Sequence, residues 1–394
     1  MEHGKWEIRI KSHCFAALFI MSLLTAALFL MGQNEDVFLG SRKEDERFAK
    51  NVDRKTGLSS NDSVFRCNLF SGRWVFDDIP YTLYEEKKCS FMMNEFACEK
   101  YGRKEFKYRN WRWQPHQCHL PRFNGSAFME KIRGKRVVFV GDSLNKNQWI
   151  SMLCNCKTIF FMEYNATIEF YWSPLLVESN CDNPDSHHVK DRVLRIKSIE
   201  KHARHWTDAD ILIFNSFMWW HNPTMTILWG SFGSSDSIYK RVEMKLRLYE
   251  MTLNTWSDWL EININRTKTK LFFMSLSPHH SRGESLNDGN CYNVTEPIMK
   301  EDYWGIATDV DMMHIAESTI RKLEERGLRV EYLNITHLSD YRKDAHSSIY
   351  RQFFHLSDDQ LSNPKSYSDC VHWCLPGVPD VWNQIFYSYI INSL

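Results

Sequence analysis

Residues 136–148 read Arg136-Val-Val-Phe-Val-Gly141-Asp-Ser143-Leu-Asn-Lys-Asn-Gln148, an apolar β-branched run that ends abruptly in Gly-Asp-Ser. The pattern predicts a buried strand over residues 136–140 and a helix over residues 145–155, joined by a turn at Gly141. Ser143 would then lie at a helix N-terminus, where unpaired backbone N–H groups and the helix dipole stabilise a developing negative charge. That position suits a nucleophilic hydroxyl, although Asp-Ser is equally ordinary chemistry for capping a helix.

The alternation of strands and helices continues along the rest of the chain. Buried strands are predicted at residues 210–217, 270–276 and 329–333, and helices at residues 240–262 and 309–326, the last ended by Gly327. Continuous apolar strands separated by helices indicate the α/β class, with a mainly parallel sheet covered on both faces. Ligands of such sheets bind at the carboxyl ends of strands, and Ser143 falls at one of these ends.

Composition narrows the class of function. The chain has 394 residues, of which 43% are hydrophobic, so it has room for one large or two modest domains. Lys+Arg and Asp+Glu both total 49, and this zero formal charge argues against a nucleic-acid-binding protein while permitting a neutral polymer as partner. The nucleotide-binding patterns GxGxxG and GxxxxGK are absent. The 15 Trp residues could stack on sugar rings or fill an aromatic core.

The N-terminal 63 residues are predicted to be a membrane anchor and a stem. Residues 14–31 form an almost purely apolar run of 18 residues, just long enough to cross a bilayer as a helix. Lys5, Arg9 and Lys11 precede the run, which predicts a cytosolic tail over residues 1–13 and the body of the chain on the far side. The polar, non-periodic residues 32–63 are interpreted as a luminal stem. A cleaved signal peptide is the alternative for the apolar run.

Cysteines and sequons point to an oxidising compartment. Ten cysteines follow the apolar run, an even count that suits disulfides: Cys67, Cys89, Cys98, Cys118, Cys154, Cys156, Cys181, Cys291, Cys370 and Cys374. Six Asn-x-Ser/Thr sequons are candidate glycosylation sites: Asn61, Asn124, Asn165, Asn265, Asn293 and Asn334. No metal is expected, because the close cysteine pairs lack a matched second pair and His187-His188 and His279-His280 lack an evident third ligand.

Residues 64–123 are predicted to form a small Cys-rich lobe, followed by the main domain over residues 124–394. The segment holds Cys67, Cys89, Cys98 and Cys118 and is dense in aromatic residues, but it has no long periodic element. This pattern is typical of a lobe held together by disulfides and not of an autonomous core.

A serine nucleophile needs a base and an acid that orients the base, and the C-terminal part of the chain offers such a pair. Asp369 and His372 lie three residues apart in Asp369-Cys-Val-His372-Trp-Cys-Leu-Pro-Gly377. In a helical turn or a tight loop this spacing places both side chains on one side, where the carboxylate can orient the imidazole. The alternative is a surface Asp–His pair without a catalytic role.

Together these motifs resemble the SGNH (GDSL) esterase superfamily and, more closely, the plant trichome-birefringence-like polysaccharide O-acetyltransferases. The resemblance covers the chain from about residue 67 to its C-terminus. It rests on Cys67-Asn-Leu-Phe-Ser-Gly-Arg-Trp74, Trp111-Arg-Trp-Gln-Pro115, Leu120-Pro-Arg-Phe123, Gly141-Asp-Ser-Leu-Asn-Lys-Asn-Gln148, Phe214-Asn-Ser-Phe-Met-Trp-Trp220, Asn290-Cys-Tyr-Asn293 and the stretch from Asp369 to Asn383. The stretch Leu338-Ser-Asp-Tyr-Arg-Lys-Asp-Ala-His-Ser-Ser-Ile-Tyr-Arg351 is similar to the branch that acetylates xylan.

The resemblance implies a three-layer sandwich with the small lobe beside it and the active site in the cleft between them. It implies a triad of Ser143, His372 and Asp369 that forms an acetyl-serine and passes the acetyl group to a sugar hydroxyl. The Ser143 backbone N–H and the Asn215 side chain are the expected oxyanion donors, and no residue matches the glycine of the superfamily's oxyanion hole. Candidates for glycan contact, with packing in the core as the alternative for each, are Trp111, Arg112, Trp113, Trp219 and Trp220.

The expected function is transfer of an acetyl group to xylosyl hydroxyls of xylan by a single-pass type II membrane protein of the Golgi, with its catalytic body in the lumen. No bound cofactor is expected, but an acetyl donor is required, either acetyl-CoA or another acetyl carrier. The alternatives are an acetylesterase with the same triad, an O-acetyltransferase for mannan, xyloglucan or pectin, and a non-catalytic glycan-binding protein.

Overall fold

The computed structural model describes residues 67–156, 161–187, 189–221, 224–281, 289–353 and 355–393. The predicted tail, anchor and stem over residues 1–63, and with them Asn61, lie outside the described residues, as does His188. In the part of the chain that is described, no helix combines the length and the apolar character needed to cross a membrane.

Strands and helices alternate along the described ranges. The strands are β1 (Gly72–Phe76), β2 (Trp111–Pro115), β3 (Arg136–Gly141), β4 (Thr167–Trp172), β5 (Val193–Leu194), β6 (Ile211–Phe214), β7 (Met225–Trp229), β8 (Ile238–Val242), β9 (Lys270–Met274), β10 (Val330–Leu333), β11 (His346–Ser348) and β12 (Asp369–Trp373). The α-helices are α1 (Gly125–Lys131), α2 (Ser143–Cys156), α3 (Phe161–Tyr164), α4 (Glu200–Ala203), α5 (Lys245–Asn263), α6 (Val310–Glu325), α7 (Thr336–Asp340), α8 (Asp358–Ser362) and α9 (Val378–Ser393).

The centre of the fold is a five-stranded parallel sheet in the order β10–β9–β6–β3–β4. β3 lies between β4 and β6, so that Gly141 pairs with Trp172 and Val140 pairs with Phe214. The four predicted strands correspond to β3, β6, β9 and β10. The apolar pattern does not predict β4, because this edge strand buries only Ile168 and therefore has no continuous apolar run.

Helices cover both faces of this sheet and make a three-layer α/β/α sandwich. On one face α1, α2 and α9 pack against β3, where the rings of Phe128 and Phe139 both meet Phe386. On the other face lie α5 and α6, and Trp256 contacts Phe214 and Phe273 edge to face. Burial of such large apolar side chains, each worth about 1.5–3 kcal/mol, holds the helices to the sheet.

The helix predicted over residues 240–262 begins later than expected. Residues 240–242 belong to β8, which pairs antiparallel with β7, and α5 starts only at Lys245. Pairing with a neighbouring strand decides the conformation of a short segment whose side chains fit either element. The helix predicted over residues 309–326 is α6, with the Asp309 carboxylate accepting from the Met312 N–H as its N-cap.

The segment predicted to be a small lobe shares its core with the sandwich. β1 and β2 form an antiparallel hairpin, and Trp74 Nε1 donates to the carbonyl oxygen of Leu338 at 2.7 Å. Phe96 and Tyr108 are buried in the same cluster as Phe128 and Phe386. The hydrophobic cluster is therefore continuous between this segment and one face of the sheet.

Four disulfides cross-link the described part of the chain. Cys67–Cys118 closes the N-terminal segment on itself, whereas Cys89–Cys154 ties the segment to α2 and Cys98–Cys374 ties it to the residue after β12. The fourth bond, Cys291–Cys370, holds β12 itself. The even cysteine count does not mean full pairing, because Cys156 and Cys181 are buried and free.

Candidate active site

The turn between β3 and α2 is shaped by a close approach of two chain segments. A Cβ atom at Gly141 would lie 2.5 Å from the carbonyl oxygen of Asn215, so only glycine lets the end of β3 lie against the segment after β6. Asp142 follows and accepts a hydrogen bond from the Leu144 N–H at 2.9 Å, which caps α2. Ser143 is then the first residue of the helix and is partly exposed, so its hydroxyl is accessible.

Ser143, His372 and Asp369 form a continuous hydrogen-bonded chain. Ser143 Oγ lies 2.7 Å from His372 Nε2, and His372 Nδ1 lies 2.8 Å from Asp369 Oδ2. Because an ionised carboxylate can only accept, the imidazole proton belongs on Nδ1, which leaves Nε2 free to accept the hydroxyl proton of Ser143. The structure thus brings together the three residues predicted from two distant motifs.

The local conformation of the Asp369–His372 pair differs from the predicted helical turn or tight loop. Both residues lie in β12, which pairs antiparallel with β11, and side chains three apart in a regular strand point to opposite faces. The ladder between the two strands is irregular between His346 and Ser348. Asp369 Oδ1 also accepts from the backbone N–H groups of Val371 and His372, both at 3.0 Å, so the carboxylate folds back over its own strand and reaches the imidazole.

β12 is held on several sides. Cys370, between Asp369 and His372, is bonded to Cys291, and Cys374 directly after the strand is bonded to Cys98. The ring of His346 in β11 lies with Nδ1 3.0 Å from the carbonyl oxygen of His372. These bonds hold the strand that carries His372 to the N-terminal segment, to the segment around Cys291 and to β11.

Two charged groups that the sequence did not single out surround the imidazole. Arg351 Nη1 forms an ion pair with Asp369 Oδ2 and lies 3.2 Å from His372 Nδ1. Glu95 forms an ion pair with Lys146 of α2 at 2.9 Å. The only sequence signal for Arg351 is its place at the end of the 338–351 stretch, and nothing in the sequence marks Glu95.

The charges around the site shift the proton affinity of its members. Burial, and then the Arg351 guanidinium, lower the pKa of His372 to about 3, while the Glu95 and Asp142 carboxylates oppose the shift. Burial raises the pKa of Asp142 to about 6 although its cap hydrogen bond acts in the other direction. Burial would also raise the pKa of Glu95, but Lys146, His372 and Arg351 together outweigh it and the net shift is downward. His372 is therefore a neutral proton acceptor over a wide pH range.

The amide of Asn215 lies against the main chain at the end of β9. Its Nδ2 is 3.4 Å from the carbonyl oxygen of Met274 and 3.3 Å from that of Ser275, and its Oδ1 is buried without a hydrogen-bond partner among the described residues. The role of Asn215 as an oxyanion donor stays a prediction. The Ser143 backbone N–H, at the start of α2, keeps its predicted role as a donor.

The predicted glycan contacts divide into buried and accessible residues. Trp113 is only 3% exposed and donates from Nε1 to the carbonyl oxygen of Leu69, and Trp220 is fully buried and donates to Ser216 Oγ. For these two the prediction of sugar contact is wrong, because both rings are core residues. Trp219 is also largely buried, beneath Arg192. Trp111, edge to face with Phe76, and Arg112, paired with Asp77, are half-buried and keep an accessible part.

The sequons within the described ranges differ in accessibility. Asn124, Asn165, Asn265 and Asn293 are exposed, whereas Asn334 is half-buried with a buried Oδ1. In the described residues no group of three or more His, Cys, Asp or Glu side chains is arranged to hold a metal ion. A serine hydroxyl beside a neutral, carboxylate-oriented imidazole is an arrangement able to attack an acyl carbonyl and hold the acyl group as an ester.

Comparison with known proteins places this site in a family. A family model described as the GDSL/SGNH-like acyl-esterase family found in Pmr5 and Cas1p (PC-esterase) matches residues 120–389, and one described as the PMR5 N-terminal domain matches residues 65–119. "Protein trichome birefringence-like 34" of Arabidopsis thaliana is 48% identical, with 98% of this chain and 97% of the relative covered.

Two rice proteins give the same result. "Xylan O-acetyltransferase 14" of Oryza sativa subsp. japonica is 47% identical, covering 86% of this chain and 80% of the relative. "Xylan O-acetyltransferase 12" of the same species is 48% identical, covering 87% and 73%. The chain therefore belongs to the PC-esterase family of GDSL/SGNH-like acyl-esterases, with trichome birefringence-like proteins and xylan O-acetyltransferases as its homologues.

Proposed function

We propose that the protein is a xylan O-acetyltransferase that works through an acetyl-Ser143 intermediate. The observation that carries the proposal is the hydrogen-bonded chain from Ser143 Oγ through His372 to Asp369, with distances of 2.7 and 2.8 Å. The homologues named xylan O-acetyltransferases supply the acceptor class. The chemistry of an acetyl-serine intermediate supplies the order of the steps.

In the first half-reaction Ser143 Oγ attacks the acetyl carbonyl of the donor while His372 Nε2 takes the hydroxyl proton. The imidazolium is held by Asp369, and the tetrahedral oxyanion accepts from the Ser143 backbone N–H at the start of α2. When the tetrahedral intermediate collapses, the bond to the donor's leaving group breaks, and that group receives the proton from His372. The acetyl group is then esterified to Ser143. Each donor to the oxyanion is worth about 3 kcal/mol in such sites.

In the second half-reaction a xylosyl hydroxyl attacks the acetyl-serine. His372 Nε2, neutral again, takes the proton of the sugar hydroxyl and returns it to Ser143 Oγ as the ester bond to the enzyme breaks. Attack by water would give acetate, so transfer depends on a bound sugar and on excluding water from the ester. The half-buried Trp111 and Arg112 are the candidates for holding the acceptor.

We further propose that the protein acts in the Golgi lumen as a single-pass type II membrane protein. The apolar residues 14–31 and the basic residues before them support the anchor and its orientation. The four disulfides support an oxidising compartment. The exposed sequons at Asn124, Asn165, Asn265 and Asn293 are the candidates for attached glycan.

Mass spectrometry of xylo-oligosaccharides incubated with the protein and an acetyl donor tests the function. Acetyl-CoA and p-nitrophenyl acetate are the two donors to compare. We expect acetylated oligosaccharides with wild type, none with S143A, and wild-type yield with S235A, which removes an exposed serine of the β7–β8 turn. Unchanged transfer by S143A would reject the intermediate. Release of acetate without sugar acetylation would indicate an esterase, and acetylation of mannan oligomers alone would reject xylan as the acceptor.

A further inference from the structure

Arg351 lies against the acid end of the Ser143–His372–Asp369 chain. Its Nη1 pairs with Asp369 Oδ2, the same oxygen that accepts the proton of His372 Nδ1. Arg351 Nη1 and His372 Nδ1 are 3.2 Å apart, and because both are N–H donors they share one acceptor and do not bond to each other. The side chains of Arg351, Asp369 and His372 are 17%, 10% and 19% exposed, so the cation acts where water screens it weakly.

We propose that Arg351 is a positioning residue that fixes the Asp369 carboxylate and keeps His372 neutral, and so able to accept a proton, in acidic solution. The inference rests on the proposed function only in taking His372 as the base. It concerns a residue that touches the base and its orienting acid, and not the acetyl group or the sugar.

Four hydrogen-bond donors converge on the carboxylate of Asp369. Asp369 Oδ1 accepts the backbone N–H groups of Val371 and His372, and Oδ2 accepts His372 Nδ1 and Arg351 Nη1. Four donors hold the carboxylate ionised and in one orientation. Arg351 Nε has no hydrogen-bond partner in the described part of the chain, so the guanidinium is not saturated by a wider structural network.

Groups of both charge signs face the imidazole of His372. Asp369 lies on its own strand, Glu95 comes from the N-terminal segment, and Asp142 precedes α2. The cations are Arg351, from the loop after β11, and Lys146 of α2, while the neighbouring ring in β11 is His346. Without Arg351, the carboxylates of Asp369 and Glu95 would face one remaining cation, and Asp142 would add a third negative charge only above its pKa of about 6. This balance would favour the charged imidazolium.

A carboxylate beside a histidine normally makes the ring easier to protonate, and a protonated base cannot take the serine proton. Arg351 offsets this effect, because its positive charge partly neutralises Asp369 Oδ2, the oxygen that accepts the hydrogen bond from His372 Nδ1. The downward shift of the His372 pKa, caused first by burial and then by Arg351, agrees with this arrangement. The imidazolium formed during each half-reaction is still held by Asp369, since the hydrogen bond from Nδ1 is retained.

The test measures the reactivity of Ser143 as a function of pH in the full chain. Wild type, R351Q, R351K and R136Q are treated with a fluorophosphonate, which bonds covalently to an activated serine oxygen. The labelling rate is followed from roughly pH 2 to pH 8, at each pH where the protein is folded, so that the range includes the His372 pKa of about 3. R136Q is the matched control. Arg136 pairs with Glu169 and Asp208, but it begins β3, roughly 17 Å from the end that leads to Ser143.

We expect the acidic limb of the R351Q profile to move to higher pH by at least about one unit, a tenfold change in the ratio of neutral to charged imidazole. R351K keeps the cation and R136Q lies elsewhere, so both should follow wild type. A profile of R351Q that is slowed by the same factor at every pH, or that matches wild type, would reject the proposal. Melting temperatures verify that each variant is folded.

E95Q should move the acidic limb in the opposite direction, and this test remains possible if R351Q does not fold. Removing the Glu95 carboxylate should move the acidic limb to lower pH, and an unmoved limb would reject the charge argument. Labelling needs neither sugar nor acetyl donor, so the two proposals fail separately. If the acidic limb depends on Arg351 but the protein acetylates no oligosaccharide, the result contradicts the proposed function alone. If the protein transfers acetyl groups but the acidic limb of R351Q does not move, the result contradicts this inference alone.

Discussion

The side chain of Asn147 holds the main chain of Trp373 at two points. Asn147 Oδ1 accepts from the Trp373 N–H at 2.9 Å, and Nδ2 donates to the Trp373 carbonyl oxygen at 3.3 Å. Asn147 lies one helical turn after Ser143 in α2, and Trp373 directly follows His372 in β12. This contact joins α2, which carries Ser143, to β12, which carries His372, across 226 residues of sequence.

Replacing Asn147 by Leu should therefore separate the base from the nucleophile. The change leaves the N–H and C=O of Trp373 unpaired in the core, at about 1–3 kcal/mol for each group, and frees β12 to shift relative to α2. We expect the rate of Ser143 labelling by a fluorophosphonate to fall at least about tenfold, with a lower melting temperature. Positioning errors of about 1 Å are enough for such losses.

The matched control is N263A at the end of α5. Among the residues that the structure describes, the Asn263 side chain donates only to the Trp259 carbonyl oxygen, four residues earlier in its own helix. If N147L is labelled at the wild-type rate at a temperature where it is folded, the two hydrogen bonds between Asn147 and Trp373 do not position His372 relative to Ser143.

The disulfides of β12 should matter more for reactivity than the disulfide of the N-terminal segment. Cys291–Cys370 fixes the residue between Asp369 and His372, whereas Cys67–Cys118 closes a segment that does not carry the triad. Loss of either bond should cost about 2–5 kcal/mol of stability. We expect the C291S/C370S variant to lose labelling rate at temperatures where it is still folded, and C67S/C118S to keep it. Equal labelling rates for the two folded variants would contradict this prediction.

Local pattern was enough to predict the central strands and the Gly141–Ser143 turn, because a buried apolar run and a glycine-dependent approach are encoded in neighbouring residues. The spacing of Asp369 and His372 also pointed to two side chains that the structure brings into hydrogen-bond contact, although for the wrong local conformation. The carboxylate bends back over β12 through two backbone N–H groups, and no periodicity encodes such a bend.

Contacts between distant parts of the chain were outside the reach of local pattern. Arg351 meets Asp369 only because β11 and β12 pair, and Asn147 meets Trp373 only because α2 packs beside β12. Trp113 and Trp220 are a second case in which local sequence does not decide the outcome. A tryptophan near polar residues has the same local sequence whether it faces a sugar or the core, and burial decides between the two.

A substitution of Trp113 tests directly whether this residue packs in the core or contacts the sugar. W113F should lower the free energy of unfolding by about 1–3 kcal/mol, because it removes the hydrogen bond to the Leu69 carbonyl oxygen and part of a buried ring that packs against Trp74. We expect no change in the KM for xylo-oligosaccharides, since the ring does not reach the surface. W111A is the comparison, because Trp111 keeps an accessible part. A raised KM with unchanged stability in W113F would restore the predicted sugar contact.

The buried carboxyl of Asp340 should make the stability of the fold depend on pH. Asp340 at the end of α7 is buried, and its two carboxylate oxygens lie 3.0 and 2.9 Å from the hydroxyl of Thr308. Burial raises the pKa of Asp340 from 3.8 to about 7. Between these values the folded state holds a proton that the unfolded state has lost, so this residue makes stability fall as the pH rises from about 4 to 7, by up to about 1.4 kcal/mol per pH unit.

D340N removes this titration while keeping an oxygen that accepts from Thr308. Relative to wild type, we expect D340N to gain stability steadily between pH 4 and pH 7, by a few kcal/mol over the whole interval, in urea unfolding measured at each pH. D236N, in the exposed turn between β7 and β8, is the control and should keep a constant difference from wild type. Other carboxyls with a raised pKa, among them Asp142 and Asp380, are present in all three proteins. A difference between D340N and wild type that is the same at every pH would therefore show that Asp340 does not titrate in this interval.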